Sequence, residues 1–300
     1  MQSVAKSKPR LPLEGVFALL LTPFRDSGAI DWTAYDRYVT WQVSHQPHGL
    51  FAVCGSSEMR WLERNERVQL ARRAVARSRG IPVVATANLG PDRATHRDDI
   101  RRMADTGLAA VVLVPPADIS GDHARYRAYL LETIAAAPCP VILYEWPMVP
   151  NHLMDAALFG ELAATVAGIK DTTCTYTGIQ AKQAVAGSAV VYQANHPFML
   201  DALQMGVRGL MAITSTVAPS LLLRLWDGFH AGEDVRKVHR DLVILDAILA
   251  PGYPATAKHL AMRMGLPFSA VTRAPVKVDA AAVRAVDAWF LDGAQTSLSS

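Results

Sequence analysis

The sequence predicts a single (β/α)8 TIM barrel followed by a C-terminal helical extension. Eight short apolar runs alternate with longer stretches of helical periodicity over about 230 residues. The runs are apolar throughout instead of alternating with polar residues, which is typical of parallel strands covered on both faces. The alternative, an open doubly wound sheet, usually has a glycine-rich phosphate loop after its first strand. The first run here ends in Leu21-Thr22-Pro23-Phe24 instead.

The predicted strands are rich in Val, Ile, Ala and Leu. They cover residues 15–21, 50–54, 82–87, 109–114, 140–144, 166–170, 189–192 and 209–213. The predicted helices lie between and after them, at 31–44, 63–78, 91–106, 122–136, 156–165, 177–186, 197–206 and 219–230. The first helix begins at the N-cap Asp31, and the third begins with Pro91 and ends before Gly107.

After about residue 231 the rhythm changes, and only helices are predicted, at 234–250, 256–264 and 279–291. We therefore predict a flexible leader at 1–13, the barrel at 14–230 and a helical annex at 231–300. The leader is basic, but neither a signal-peptide core nor a cleavage site follows it.

Composition excludes several classes of function. The net charge of +3 comes without a basic stripe, so a nucleic-acid partner is not expected. No apolar run reaches about 18 residues, so a membrane-spanning helix is not expected either. Cys54, Cys139 and Cys174 are far apart, which argues against a disulfide framework or a zinc cluster and favours a reducing cytoplasm. The histidines show no metal-ligand spacing, so we expect no metal.

Lys170 is the first candidate catalytic residue. Only seven of the 30 basic residues are Lys, so each Lys in this Arg-rich chain stands out. Lys170 ends the sixth apolar run, where burial would lower the pKa of its amine, and only a neutral amine attacks a carbonyl. An Arg could not replace it as a nucleophile. The alternative is a structural ion pair with Asp171 or Glu145.

Tyr144 is the second candidate, because it ends the strand before that of Lys170. Neighbouring strands lie about 5 Å apart, so its phenol can reach the amine and act as general acid and base. A core Tyr with a bonded hydroxyl is the alternative. Ser56 and Ser57 follow the second strand in a tight turn that could hold a carboxylate, although an ordinary polar turn would look the same. His196 lies at the end of the seventh strand, where capping or substrate contact is expected.

The sequence resembles the dihydrodipicolinate synthase / N-acetylneuraminate lyase family of Schiff-base aldolases. The resemblance spans residue 15 to the C-terminus and rests on four motifs in the order of a barrel. They are GVFALLLTPF at 15–24; GSSE at 55–58 with Leu62, Glu66 and Arg67 at the family spacing; VILY at 141–144 with Pro147; and GIKDT at 168–172.

The resemblance implies a lyase or aldolase whose Lys170 forms a Schiff base with pyruvate or another 2-oxo acid. Tyr144 would move protons, and Ser56 with the backbone N–H of Ser57 would hold the carboxylate. It also implies a homotetramer or dimer and no metal or organic cofactor. Thr172, two residues after the sixth run, and Met211, in the eighth run, are assigned to the substrate site as well.

Departures from the family pattern bear on the second substrate. The hydroxyl residue expected at position 55 is Gly55, and Ala117 lies in the segment where lysine-pathway synthases carry a relay Tyr. Val149 stands where those synthases carry an Arg, and Glu145 replaces their Asn. A carboxylate at 145 would repel an anion. These changes predict a neutral, hydroxylated or cationic second substrate. The sugar-acid dehydratases and aldolases of the family are similar enzymes, and they imply an aldehyde or sugar-acid co-substrate.

Glu145, Asn195 and His196 are expected to bind that second substrate. Two alternatives to this lyase hypothesis stay open. One is an authentic 4-hydroxy-tetrahydrodipicolinate synthase with a rebuilt proton relay. The other is a homologue that binds a 2-oxo acid without turnover.

Overall fold

Eight parallel strands close into a barrel in chain order in the computed structural model, which describes residues 13–297. The strands are β1 Gly15–Leu19, β2 Gly49–Phe51, β3 Val83–Thr86, β4 Ala110–Leu113, β5 Val141–Tyr144, β6 Gly168–Asp171, β7 Val190–Gln193 and β8 Gly209–Leu210. Each predicted strand is present, and the predicted barrel is confirmed.

The barrel helices are α1 Trp32–Ser44, α2 Arg64–Arg77, α3 His96–Ala104, α4 His123–Ala136, α5 Ala156–Leu162, α6 Tyr176–Val185, α7 Met199–Gln204 and α8 Pro219–His230. The third helix begins five residues later than predicted. A short 3-10 turn occupies Arg93–Thr95 first, because the side chain of Asp92 accepts a hydrogen bond from the N–H of Ala94.

Every residue of the eight strands is buried, as the continuous apolar runs predict. The close approach of backbones depends on glycine at β6 and β8. A Cβ on Gly168 would lie 2.3 Å from the carbonyl oxygen of Val190, and one on Gly209 would lie 2.2 Å from the ring of Tyr192. The Tyr192 ring occupies the space beside Gly209, so a larger residue at position 209 would clash with it.

The C-terminal annex is helical, as predicted, with α9 Arg236–Leu249, α10 Ala255–Arg263 and α11 Ala280–Ser297. It contacts the barrel through α7 and α8 and through the ring of Phe268, which packs edge-on against Tyr38 of α1 at 4.9 Å. We propose residue 230, where α8 ends, as the boundary between barrel and annex.

The predicted leader lies outside the described residues except for Leu13. Leu13 is buried, and its carbonyl oxygen accepts a hydrogen bond from the hydroxyl of Tyr192, so this last leader residue belongs to the barrel. None of the helices described in residues 13–297 is both long and apolar enough to cross a bilayer.

Candidate active site

Lys170 and Tyr144 face each other at the carboxyl ends of β6 and β5. The two residues are direct partners in the parallel register of these strands. Nζ of Lys170 lies 4.4 Å from the centroid of the Tyr144 ring and 5.4 Å from that of Phe51. Both side chains are buried. The amine therefore lies over two aromatic rings.

Burial sets the protonation state of Lys170. Desolvation lowers the pKa of its amine to about 8, and the nearby Cys54 thiol opposes this shift. Among the described residues, no acidic side chain forms an ion pair with Nζ of Lys170. At pH 7, a pKa of about 8 leaves roughly one amine in ten uncharged, against roughly three in ten thousand at the ordinary value of 10.5.

The Tyr144 hydroxyl borders a small space left by Gly55. A Cβ built on Gly55 would lie 3.6 Å from the Tyr144 hydroxyl and 3.5 Å from Nε1 of Trp146. Burial raises the pKa of Tyr144 well above its usual value. The phenol is therefore neutral at physiological pH and can donate a proton or a hydrogen bond to a neighbour.

A short 3-10 turn at Gly55–Ser57 follows β2 and brings Ser56 to the same end of the barrel. Ser56 is buried, and its Oγ accepts a hydrogen bond of 2.5 Å from the hydroxyl of Tyr253. The backbone N–H groups of Gly55 and Ser56 come first in the turn, where no turn carbonyl can accept from them. These groups and the Ser56 hydroxyl could hold a carboxylate, and together they are called the carboxylate cradle.

Ser57 differs from the expectation. Its backbone N–H donates to the carbonyl of Cys54 within the turn, and its hydroxyl lies 2.6 Å from the Leu20 carbonyl oxygen and 2.8 Å from that of Ala52. Ser57 therefore connects the ends of β1 and β2, and its N–H is already paired. The structure directs the hydrogen-bonding groups of Ser57 to the protein backbone.

Glu145 also differs from the expectation, because it does not face an open site. One of its oxygens accepts from Nζ of Lys182 at 2.5 Å and from the N–H of Met154, and the other accepts from the N–H of Thr172. Lys182 also contacts Asp171 at 2.8 Å, and all three charged side chains are buried. One cation thus faces two carboxylates, and the Glu145 carboxylate is buried and bonded within the protein instead of facing an open site.

Thr172 supports the same cluster. Its hydroxyl donates to the carbonyl of Glu145 at 2.7 Å and its N–H to the Glu145 carboxylate, which ties the end of β6 to that of β5. The side chain remains partly exposed. Both hydrogen-bonding groups of Thr172 are directed to Glu145.

His196 is fully buried at the end of β7, and its ring is hydrogen-bonded to the protein through Nε2, whereas Nδ1 is close to a carboxylate without hydrogen-bond geometry. Nε2 lies 2.6 Å from Oγ1 of Thr214, and Nδ1 lies 2.9 Å from Asp246 of α9. Its expected contact with substrate is replaced by a link between barrel and annex. Of the two roles predicted for His196, capping fits these contacts better than substrate contact does.

Asn195 and Met211 remain compatible with a substrate site. The side-chain nitrogen of Asn195 is buried without a hydrogen-bond partner among the described residues, which is costly and leaves a donor for a ligand or water. Met211 is fully buried just after β8, and its N–H donates to the carbonyl of Gln193.

Three residues of this region were not identified from the sequence: Lys182, Trp146 and Tyr253. Lys182 lies in a helix, where no local pattern indicates that one Lys turns inward to two carboxylates. Trp146 directly follows the Tyr144-Glu145 pair, and this position after a strand end is the signal that could have identified it. Tyr253 lies 197 residues from its partner Ser56, and no local pattern links residues so far apart.

A cavity of about 990 Å³ opens at the carboxyl ends of β3, β4 and β5. Its lining includes Asn88, Trp146, Val149, Arg60 and Arg93 but neither Lys170 nor Tyr144. Arg93 pairs with Asp118. Within the described part of the chain, no group of three or more His, Cys, Asp or Glu side chains could hold a metal ion.

Comparison with known proteins agrees with this geometry. The model of the Dihydrodipicolinate synthetase family matches residues 12–285. A 4-hydroxy-tetrahydrodipicolinate synthase of Methylobacterium radiotolerans is 28% identical over 269 residues, which cover 84% of this chain and 86% of the relative.

Solved structures show the same fold. A dihydrodipicolinate synthase from Thermotoga maritima superposes with a TM-score of 0.86 at 21% identity, covering 94% of this chain and 98% of the other. A prophage protein of the dihydrodipicolinic acid synthase family from E. coli K12, solved in complex with pyruvate, gives 0.86 at 19% identity, with 93% and 97% covered. The resemblance predicted from the sequence is confirmed, and the chain belongs to the dihydrodipicolinate synthetase family.

Proposed function

We propose that this protein is a lyase or aldolase whose Lys170 forms a Schiff base with pyruvate or a related 2-oxo acid. Membership of the family supports the reaction class. The main supporting observation is the Lys170 amine, which is buried, free of ion pairs among the described residues and 4.4 Å from the Tyr144 ring. An amine in that environment is nucleophilic near neutral pH.

The proposed reaction begins when the neutral amine attacks C2 of the 2-oxo acid. The carbinolamine loses one water and becomes a protonated imine, which withdraws electrons from C3. Loss of a proton from C3 gives an enamine, and this carbon adds to an aldehyde carbonyl. Hydrolysis of the product imine consumes one water and restores the amine, so the addition has no net exchange of water. The reverse order of steps cleaves an aldol.

Tyr144 supplies the protons in this scheme. Its neutral phenol protonates the carbinolamine oxygen as water leaves, and the resulting phenolate accepts the proton from C3. Ser56 and the first N–H groups of its turn hold the carboxylate of the 2-oxo acid. Met211 contributes an apolar wall, and Asn195 offers its unpartnered amide N–H groups to a hydroxyl or carbonyl oxygen of the substrate.

We place the second substrate, an aldehyde or sugar acid, towards the 990 Å³ cavity beside Trp146. The Glu145 carboxylate is buried, is bonded to Lys182 and does not line this cavity, so we do not expect it to exclude an anion. Arg60, an exposed cation at the cavity border, would tolerate one. The charge class expected from the sequence is therefore widened to include carboxylates.

Authentic 4-hydroxy-tetrahydrodipicolinate synthase is the second candidate, because relatives that match most of the chain carry that name. It requires a proton path without a hydroxyl at Gly55 or a tyrosine at Ala117. An assay with pyruvate and aspartate semialdehyde decides between the two. Product formation at a rate comparable with other 2-oxo acid and aldehyde pairs would favour this candidate.

The proposal is tested by reductive trapping. The protein is incubated with a panel of 2-oxo acids and borohydride, and the adduct is located by intact mass and peptide mapping. We expect one adduct, on Lys170, and none on the buried Lys182, whose amine is paired with two carboxylates. Lys170→Ala should give no adduct. An unmodified Lys170 across the whole panel would end the proposal, and an adduct without turnover would point to a silent 2-oxo acid-binding homologue.

We further propose a cytoplasmic location and a homotetramer or dimer. The three cysteines are free, which suits a reducing compartment. Met148 and Leu153, both exposed near the strand ends, offer apolar surface for a second copy. Sedimentation of the full chain measures the number of subunits, and a monomer at micromolar concentration would contradict the assembly.

A further inference from the structure

The C-terminal annex reaches into the carboxylate cradle through one side chain. Tyr253 lies between α9 and α10, and its hydroxyl donates a 2.5 Å hydrogen bond to Oγ of Ser56. Tyr253 is partly exposed, and desolvation raises the pKa of its phenol well above the usual value. The phenol is therefore a permanent donor at physiological pH.

The direction of this hydrogen bond determines what the Ser56 hydroxyl can do. A Ser oxygen that accepts from Tyr253 keeps its own proton for a different acceptor. The neighbouring Ser57 differs, because backbone carbonyls of Leu20 and Ala52 surround its hydroxyl. Ser56 is therefore the hydroxyl in this turn whose proton is available for a ligand.

Buried contacts fix the annex to the residue next to this turn. Glu58 is completely buried and accepts from Nζ of Lys258 at 2.6 Å. It also accepts from the backbone N–H groups of Arg273 at 2.6 Å and Ala274 at 2.8 Å. All three donors belong to the annex. Lys258 lies in α10, which begins two residues after Tyr253, so the buried ion pair with Glu58 anchors the annex segment next to Tyr253.

We propose that Tyr253 is a positioning residue for the 2-oxo acid. It does not contact the substrate itself but orients the Ser56 hydroxyl towards the substrate carboxylate. The inference rests on the proposed function. It assigns to the annex a part in substrate recognition and predicts that the Ser56 hydrogen bond weakens when the phenol is removed. The rate of chemistry at Lys170 does not depend on it.

The test measures trapping of Tyr253→Phe with two ligands. Pyruvate has the carboxylate that Ser56 would hold, whereas pyruvamide keeps the ketone and lacks the charge. We expect the concentration of pyruvate for half-maximal trapping to rise about tenfold, with the maximal rate unchanged, because a hydrogen bond to a charged group is weakened. Trapping with pyruvamide should change less than twofold. Tyr35→Phe is the matched control, because the Tyr35 hydroxyl contacts the carbonyl of Leu70, away from the cradle.

A second background separates positioning from general damage. In Ser56→Ala the Tyr253→Phe change should cause no further loss of pyruvate affinity, since the hydroxyl that it orients is gone. Tyr253→His, which keeps a donor, should recover part of the affinity.

The outcomes are distinguishable. If wild type is trapped by pyruvate and Tyr253→Phe behaves identically, or loses pyruvate and pyruvamide trapping equally, the positioning role is overturned while the proposed function stands. If wild type is not trapped by any 2-oxo acid, the proposed function fails, and the inference fails with it.

Discussion

Replacing Lys170 with Met should stabilise the folded protein at neutral pH while removing the reactive amine. Burial lowers the pKa of Lys170 from 10.5 to about 8, so protonation of this side chain opposes folding. A shift of about 2.5 units at about 1.4 kcal/mol per unit corresponds to roughly 3 kcal/mol at pH 7, where the amine is mostly protonated. Met has a similar length, is apolar and carries no such penalty.

The effect depends on pH in a defined direction. The folded-state pKa lies below the unfolded value, so the unfolded chain binds more protons between pH 8 and 10.5. Wild-type stability therefore gains from Lys170 as the pH rises through this window, and the advantage of the Met variant shrinks. From the same pKa values, the difference falls from roughly 3 kcal/mol at pH 7 to roughly 1 kcal/mol at pH 10, apart from a constant packing contribution.

The measurement is urea unfolding of both proteins at pH 7, 8, 9 and 10. Other titrating groups are common to both proteins and cancel in the difference. Lys237→Met is the control, because the Lys237 side chain is 75% exposed on α9 and should show no such trend. A difference in the free energy of unfolding that stays constant from pH 7 to 10 would refute the claim that this amine lies in a low-dielectric site.

Three further predictions concern neighbouring residues. Tyr144→Phe should lower turnover by about two to four orders of magnitude while borohydride still traps some imine; full turnover would remove Tyr144 from the mechanism. Glu145→Gln should lower the free energy of unfolding by about 1–3 kcal/mol because its contact with Lys182 is weakened, and it should change the KM for the second substrate little. Unchanged stability in urea together with a large rise in KM would instead restore its substrate-binding role. Gly55→Ser should leave the urea midpoint unchanged, because its Cβ meets only contacts of 3.5 and 3.6 Å; a large loss of stability would show that the space beside Tyr144 is not there.

The barrel was predictable because its signals are local. Buried parallel strands must be apolar along their whole length, and helix starts such as Asp31 carry a capping side chain that the structure contains. The pairing of Lys170 with Tyr144 followed from the same logic, since consecutive strands of a barrel are neighbours and both residues end their strands. The positions of these residues in the fold could therefore be predicted without knowing their side-chain contacts.

The destinations of polar side chains were not predictable in this way. Glu145 follows β5 just as an active-site residue would, yet its carboxylate turns to Lys182, 37 residues further along the chain. His196 follows β7 and turns to Asp246 of the annex. Each partner lies on a helix whose inward face the sequence leaves ambiguous, because one buried charge among polar neighbours does not alter helical periodicity. Sequence position therefore identified the strand ends but not which of their side chains face a ligand.

Three buried lysines in this chain differ chiefly in their partners. Lys182 contacts Glu145 and Asp171, and Lys258 contacts Glu58, so each positive charge is compensated. Lys170 is equally buried but lies against the rings of Tyr144 and Phe51, which attract a cation far less than a carboxylate does. All three residues stand out as lysines in an Arg-rich chain. Among the three, Lys170 alone has no carboxylate partner within the described residues, and this separates the proposed nucleophile from two structural ion pairs. The ion-paired lysines also fix the frame of the site, since Lys182 joins the ends of β5 and β6 and Lys258 joins the annex to the turn that carries Ser56. The same residue type is thus structural where it is paired with a carboxylate, and it is the proposed nucleophile where it is not.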